Sequence, residues 1–386
     1  MNEQLKRDLG RYVDLLLEKS TAEKPFWNKE VERSGKVNKW NYIDGCMISA
    51  VISLYDMTKE KRYLDFAVSF VNSFSDAEGN VSTYKIEDYN LDNVCAAKNL
   101  FPLYDLTGDE RYRKAMDHFR DQLREQPRTE EGNFWHKKIY PNQVWLDGLY
   151  MAQPFYMTYG NRFEKMGTCP DSIRQFKAVE AHMKDPANGL YYHGYDASKE
   201  MYWADPVTGC SRNFWLRSIG WFSLALADTA DAIPETLYYE KRYLMDLLKD
   251  LTDSLIHFQD AGGMFWQVVD QGGREGNYLE TSGTALIATA ILRGVRLGFL
   301  PESYAAYGER AFDGIIDRYF SVGADGTINL GGICLVAGLG GQNHRDGSYE
   351  YYISEPVVEN ESKGVAPLLM AYTEMLRREK GEKTAL

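Results

Sequence analysis

The chain has 386 residues, 44% apolar and 26% charged, with 44 basic side chains against 56 acidic ones and a net charge of −12. That length can bury a substantial core. The acidic balance argues against non-specific nucleic-acid binding, which needs basic surface to neutralise phosphates, and no window approaches the apolar run that spans a bilayer.

The amino-terminal stretch MNEQLKRDLGRYVDLLLEK is charged throughout and lacks the apolar core of a signal peptide. Five cysteines (Cys46, Cys95, Cys169, Cys210, Cys334) are scattered without metal-type spacing, which fits a reduced cytoplasm. The six histidines are equally dispersed, so no structural metal is expected.

Along the chain, YDMTKEKRY (55–63) returns as YDLTGDERY (104–112), each copy between an apolar helical stretch and an amphipathic one. Apolar helices are predicted to begin near residues 42, 92, 143, 214, 281 and 363. Polar helices with one charged face are predicted near 5–19, 60–74, 108–124, 170–183, 238–258 and 302–320. An antiparallel helical pair repeated six times, each needing neighbours to bury its apolar face, predicts an all-α, six-hairpin toroid, the (α/α)6 barrel. A linear solenoid is the rival, but its last helix should carry a polar cap, and GVAPLLMAYTEMLRR is too apolar for one. Strand-like pieces at 264–269, 327–336 and 349–354 read as small hairpins in loops. No linker divides the chain, so one domain over 1–386 is expected.

The connections running into the apolar helices are the long ones, roughly 20–40, 75–90, 125–142, 184–213, 259–280 and 321–362. In a closed toroid they share one face, which should hold the pocket. Trp27, Trp40, Trp135, Trp145, Trp203, Trp215, Trp221 and Trp266 fall in these loops or just after them. Aromatic faces stack on sugar rings, so a carbohydrate site is inferred, with some of the eight serving as loop anchors.

Three acids stand at the start of consecutive inner helices: Asp44 in NYIDGC, Asp92 in NLDNVC and Asp147 in VWLDGL. An aspartate there commonly caps backbone N–H groups. Asp147, however, lies in a nearly continuous apolar run, where an unpaired carboxylate is costly. Asp92 and Asp147 converging in an apolar pocket can split their acidities, one protonated and one ionised, an acid/base arrangement. Local cations that could hold an acidic substrate are Arg217, between Trp215 and Trp221, with His136 and Lys137 ahead of Asp147 and His193 in GLYYHGYD. A buried ion pair is the alternative for Arg217, and a satisfied loop histidine for His193. Thr281 and Ser282 read as caps of the fifth inner helix, and the glycine-rich stretch 331–341 as a lip of the pocket.

HKKIYPNQVWLDGLYMAQPF (136–155) resembles the signature of glycoside hydrolase family 105, the unsaturated rhamnogalacturonyl hydrolases. The resemblance continues through 90–112, 189–196, 214–226 and 279–300, in order along nearly the whole chain. It implies an (α/α)6 barrel without metal or cofactor, a catalytic role for Asp147 and an assisting one for Asp92. Substrate contacts are implied for Tyr42, His136, Lys137, Trp145, Met151, His193, Trp215, Arg217 and Trp221. The implied partner is an oligosaccharide ending in a 4,5-unsaturated uronic acid, whose double bond is hydrated. Two departures from the family pattern, Glu355 and Lys363, fall near the pocket lip and bear on the neighbouring sugar. An unsaturated glucuronyl hydrolase, a sugar epimerase on the same fold and a non-catalytic carbohydrate-binding scaffold are the competing readings.

Overall fold

The computed structural model describes residues 1–382; residues 383–386, the end of the expected domain, lie outside the described residues. The first half of the chain forms helices α1 (Glu3–Glu18), α2 (Lys29–Ser34), α3 (Tyr42–Thr58), α4 (Lys61–Asn72), α5 (Leu91–Ala97), α6 (Leu100–Thr107) and α7 (Glu110–Glu125). The second half adds α8 (Gly148–Phe163), α9 (Cys169–Met183), α10 (Leu216–Asp231), α11 (Tyr238–Leu255), α12 (Thr281–Arg296), α13 (Ala305–Tyr319), α14 (Tyr349–Ser354) and α15 (Ser362–Glu379).

Helices α3, α5–α6, α8, α10, α12 and α15 form an inner ring in which each packs on the next, and α15 closes the circle against α3. That last contact is one a linear solenoid cannot make, so the fold is the (α/α)6 barrel. The outer helices are amphipathic. In α7 the buried side chains Tyr112, Ala115, Met116, Phe119 and Leu123 recur at three- and four-residue steps, one face of a helix. Burying each large apolar side chain contributes roughly 2 kcal/mol. Inner helices approach closely where side chains vanish: a Cβ on Gly45 of α3 would lie 2.6 Å from the Ala96 Cα of α5.

Three two-stranded antiparallel ribbons decorate the loops: β1 (Gln143–Trp145) with β2 (Gly194–Asp196), β3 (Phe320–Val322) with β4 (Ile328–Leu330), and β5 (Ile333–Cys334) with β6 (Val357–Val358). Several expectations are corrected here. Residues 143–145 are a strand, so the third inner helix starts only at Gly148. The segment 349–354 is a short helix, because the Ser348 hydroxyl accepts the Tyr351 N–H and starts a helical turn. Residues 264–269 make only isolated bridges, Trp266 to Leu279 and Val268 to Trp215. The second inner helix breaks at Lys98–Asn99, where the Asn99 side-chain amide donates to the carbonyls of Gly45 and Ala96.

The inner helices all start at the face of long loops. At the opposite end a cavity of about 380 Å³ is lined by Lys98, Asp228, Arg293, Glu374 and others. There Arg293 pairs with Asp228 and Glu374, and Arg296 with Glu374, cations placed to complement helix carboxyl ends. Among the described residues no helix is long and apolar enough to cross a membrane.

Candidate active site

The three aspartates that look alike in the sequence have different surroundings. Asp44 is buried in the first turn of α3 and accepts from Trp27 Nε1 (2.9 Å), Asn28 Nδ2 (3.3 Å), Asn38 Nδ2 (2.6 Å) and Asn41 Nδ2 (2.9 Å). It does not cap α3; that role belongs to Asn41, which accepts the Asp44 N–H. Asp44 therefore ties loop 27–41 to the barrel, and Trp27 is one of the loop anchors. Asp44→Ala is expected to cost about 2 kcal/mol or more, since buried donors lose their acceptor. A wild-type denaturation midpoint for this variant would contradict that role.

Asp92 follows the Asn90 cap of α5 and faces the loop before β1. Its carboxylate meets Lys137 Nζ at 2.6 Å and His136 Nε2 at 3.2 Å. Burial opposes its charge, but Lys137 and His136 outweigh it and hold the carboxyl well below the usual carboxylate range. The loop is fixed by backbone bonds, Leu91 N–H to the His136 carbonyl (3.1 Å) and His136 N–H to that of Gln143 (2.9 Å).

Asp147 occupies the N-cap position of α8, yet its side chain makes no capping bond. Its Oδ1 is buried without a hydrogen-bond partner. The β1–β2 ribbon pairs Trp145 with Gly194, and Leu146 N–H bonds the His193 carbonyl (2.9 Å), which brings His193 beside Asp147. His193 Nε2 lies 4.0 Å from Asp147 Oδ1 and is likewise unpartnered, while Nδ1 bonds Tyr352 Oη at 2.7 Å. Burial, reinforced by the charge of Asp92, pushes the Asp147 carboxyl up, against the pull of His136 and Lys137. Burial pushes His193 well down, helped by His136 and Arg345. The site thus places a carboxyl that favours its proton, a neutral imidazole and an ionised carboxylate together, a set able to give a proton and take one back.

Aromatic rings enclose these groups. Trp145 is sandwiched between His136 (centroids 4.6 Å apart) and Tyr140 (4.9 Å), and Trp215 packs on His193 (4.6 Å). Trp203 is wholly buried behind Trp145, and Trp40 donates to the Asn93 carbonyl, so both are anchors. Arg217 is buried at the start of α10. Its Nε donates to Ser282 Oγ (2.6 Å), its Nη2 to the Cys334 carbonyl, and Nη2 lies 3.7 Å from Glu280 Oε1. Glu280 caps α12 by accepting the Gly283 N–H, displacing Thr281 and Ser282 from the capping role. Thr281 instead donates to the Gly331 carbonyl, and Ser282 links Arg217 to Glu280.

Around Asp147 the structure therefore gathers Asp92, His136, Lys137, Trp145, His193 and Trp215. Tyr42 stands in the field of Glu30, Asp92, Arg217 and Asp147. Met151 and Trp221 are packed in the core, Trp221 stacked on Tyr150 at 4.6 Å. Of the two departures, Lys363 is fully buried between Glu30 and Glu361, and Glu355 is half-buried with the Tyr351 hydroxyl as its partner. Sequence reasoning missed Tyr352, Tyr140, Glu280 and Arg345. Tyr352 was hidden by the strand reading of YEYYIS, and Glu280 was legible as an acid just before an apolar helix.

The family model described as Glycosyl Hydrolase Family 88 matches residues 18–379, and the chain belongs to that family. The solved glycoside hydrolase from family 105 of C. acetobutylicum ATCC 824 is 44% identical, with a TM-score of 0.85 over 87% of this chain and 93% of that one. Protein Atu3128 of Agrobacterium fabrum (strain C58 / ATCC 33970) is 40% identical over 232 residues, 58% of this chain and 98% of that protein. The unsaturated rhamnogalacturonyl hydrolase YesR of Bacillus subtilis (strain 168) is 25% identical over 300 residues, 75% of this chain and 78% of that protein.

Proposed function

We propose that this chain releases the 4,5-unsaturated uronic acid from the non-reducing end of lyase-generated oligosaccharides, by acid-catalysed hydration of the C4=C5 double bond. The observation that carries this reading is the opposed state of two carboxyls: Asp147 raised, with its Oδ1 unpartnered and Asp92 acting on it, and Asp92 held ionised by Lys137 and His136. An enol ether conjugated with a carboxylate needs a proton donor more than a nucleophile. Asp147 delivers its proton to C4, and positive charge develops at C5 and the ring oxygen. The Asp147 carboxylate so formed takes a proton from the water that attacks C5. The resulting hemiketal opens and frees the remaining saccharide. No covalent glycosyl-enzyme is needed, so carboxylate separation does not report retention or inversion here.

Asp92 favours the protonated form of Asp147 by its charge, and neutral His193 offers Nε2 to a bound oxygen. Tyr42, Trp145, Trp215 and Arg217 complete the proposed substrate contacts, with His136 and Lys137 fixing Asp92, while Met151 and Trp221 support the site from the core. The likeness to YesR supports a substrate of the rhamnogalacturonan type, and with it a role in pectin degradation. A single catalytic domain and a cytoplasmic setting complete the reading, the latter supported by five free, buried cysteines.

The test is turnover of lyase-made disaccharides in heavy water. Loss of the enoate absorbance is expected, with one deuterium on C4 of the released keto-sugar. The saturated disaccharide should be inert, since it offers no alkene to protonate. Because the raised Asp147 must begin each cycle protonated, kcat should fall as pH rises through its pKa. A product without deuterium at C4, or turnover of the saturated disaccharide, would return the site to ordinary glycoside hydrolysis.

A further inference from the structure

The cations nearest the two acids are already matched. Lys137 is bound to Asp92, Arg217 faces Glu280, and Lys363 lies between Glu30 and Glu361. Arg345 is different. Its Nε donates to the Gly340 carbonyl (3.1 Å) and its Nη2 to Tyr140 Oη (3.2 Å), both neutral acceptors. Among the described residues no carboxylate lies within ion-pair distance of it. Glu355 lies within its field, but the Glu355 carboxylate takes the Tyr351 hydroxyl. Arg345 is nonetheless half-buried, so a positive charge is held partly out of water with no carboxylate in direct contact.

The loop is built to hold it there. The glycine-rich lip wraps the guanidinium: a Cβ on Gly338 would lie 2.5 Å from Arg345 Nη1, and one on Gly341 would lie 3.4 Å from Nη2. Gly340 and Gly341 both have positive φ, 65° and 75°, a turn that other residues strain to make. The absent side chains in this stretch therefore make room for a side chain, which gives the lip a purpose that its sequence alone did not reveal.

Position supplies the rest. His136 holds Asp92, Trp145 stacks on His136, and half-buried Tyr140 stacks on the far side of Trp145. Arg345 bonds the hydroxyl of that outermost ring. It therefore stands beyond the Trp145–Tyr140 pair from Asp92, farther out from the acids. A planar fork of donors held by a tyrosine hydroxyl is suited to a carboxylate or sulfate.

We propose that Arg345 binds an anionic group on the leaving saccharide, and so makes the enzyme favour oligosaccharides that carry a second acid beyond the scissile bond. This rests on the reading of Asp147 and Asp92 given above and goes beyond it by naming the chemistry of the leaving group. The test compares two unsaturated disaccharides, one with a neutral leaving rhamnose and one whose leaving sugar carries a carboxylate or sulfate. For wild type, kcat/KM should favour the acidic leaving group. In Arg345→Gln that preference should fall about tenfold or more, chiefly through KM, as expected for one charge-assisted contact. Arg345→Lys should restore part of it, and thermal unfolding reports whether each variant is folded.

Equal losses on both disaccharides would overturn the proposal and assign Arg345 to the carboxylate of the unsaturated ring itself. An unchanged preference in folded Arg345→Gln would overturn it outright. Failure of wild type to turn over any lyase-made disaccharide is a distinct result. It defeats the reading of the acid pair, and the Arg345 assignment with it.

Discussion

Asp147→Asn is expected to lower kcat at least a thousandfold with little change in KM, a loss of about 4 kcal/mol in the transition state. The substitution keeps the shape of the side chain and removes the transferable proton. Asp147 Oδ1 has no hydrogen-bond partner and the side chain caps nothing, so the amide should disturb little of the resting structure. Folding and substrate binding should therefore survive, which separates loss of chemistry from loss of structure. Asp92→Asn should be impaired for another reason. It removes the charge that Lys137 and His136 pair with and that disfavours ionisation of Asp147. If Asp147→Asn keeps more than about a tenth of the wild-type rate, an effect of only about 1.4 kcal/mol, Asp147 is not the proton donor.

The second large effect concerns stability. Arg217→Met is expected to destabilise the fold by about 3 kcal/mol or more, because breaking a buried pair leaves a charge without its partner. Glu280 is fully buried and serves three structural tasks: it caps α12 through Gly283, accepts from Ser282 and accepts the Cys334 N–H at 3.0 Å. The loss should read as a lower urea midpoint at an unchanged slope. Arg217→Lys keeps the charge but not the fork that reaches both Ser282 and the Cys334 carbonyl. It should be more stable than the Met variant and still impaired, by about tenfold in kcat/KM, if Arg217 also touches substrate. A wild-type midpoint for Arg217→Met would remove the structural role. Wild-type kinetics for folded Arg217→Lys would remove the substrate role.

The paired helices were predictable from the sequence, and the contact of α15 with α3 closed them into a ring. Alternation of apolar and one-sided helices is a local property, because a helix must bury whatever face its side chains make apolar. The inner and outer sets were therefore legible, and with them the face where the long loops gather. What sits inside those loops was less legible. YEYYIS satisfies a strand pattern, and it took the Ser348 hydroxyl to make it a helix.

The site itself was decided by tertiary structure. NYIDGC and VWLDGL present the same Asp-Gly pair at the start of an inner helix, and only the apolar run around Asp147 separates them. Asp44 receives four donors from residues 27–41, while Asp147 receives a neighbouring imidazole and an unsatisfied oxygen. Arg217 likewise acquires its counter-charge from the residue that caps another inner helix, and Arg345 acquires no ion pair among the described residues. The energy of a buried charge depends on which groups the fold brings within a few ångströms of it. Sequence neighbours do not carry that information, so residue type and position named the candidates, and only packing assigned their states.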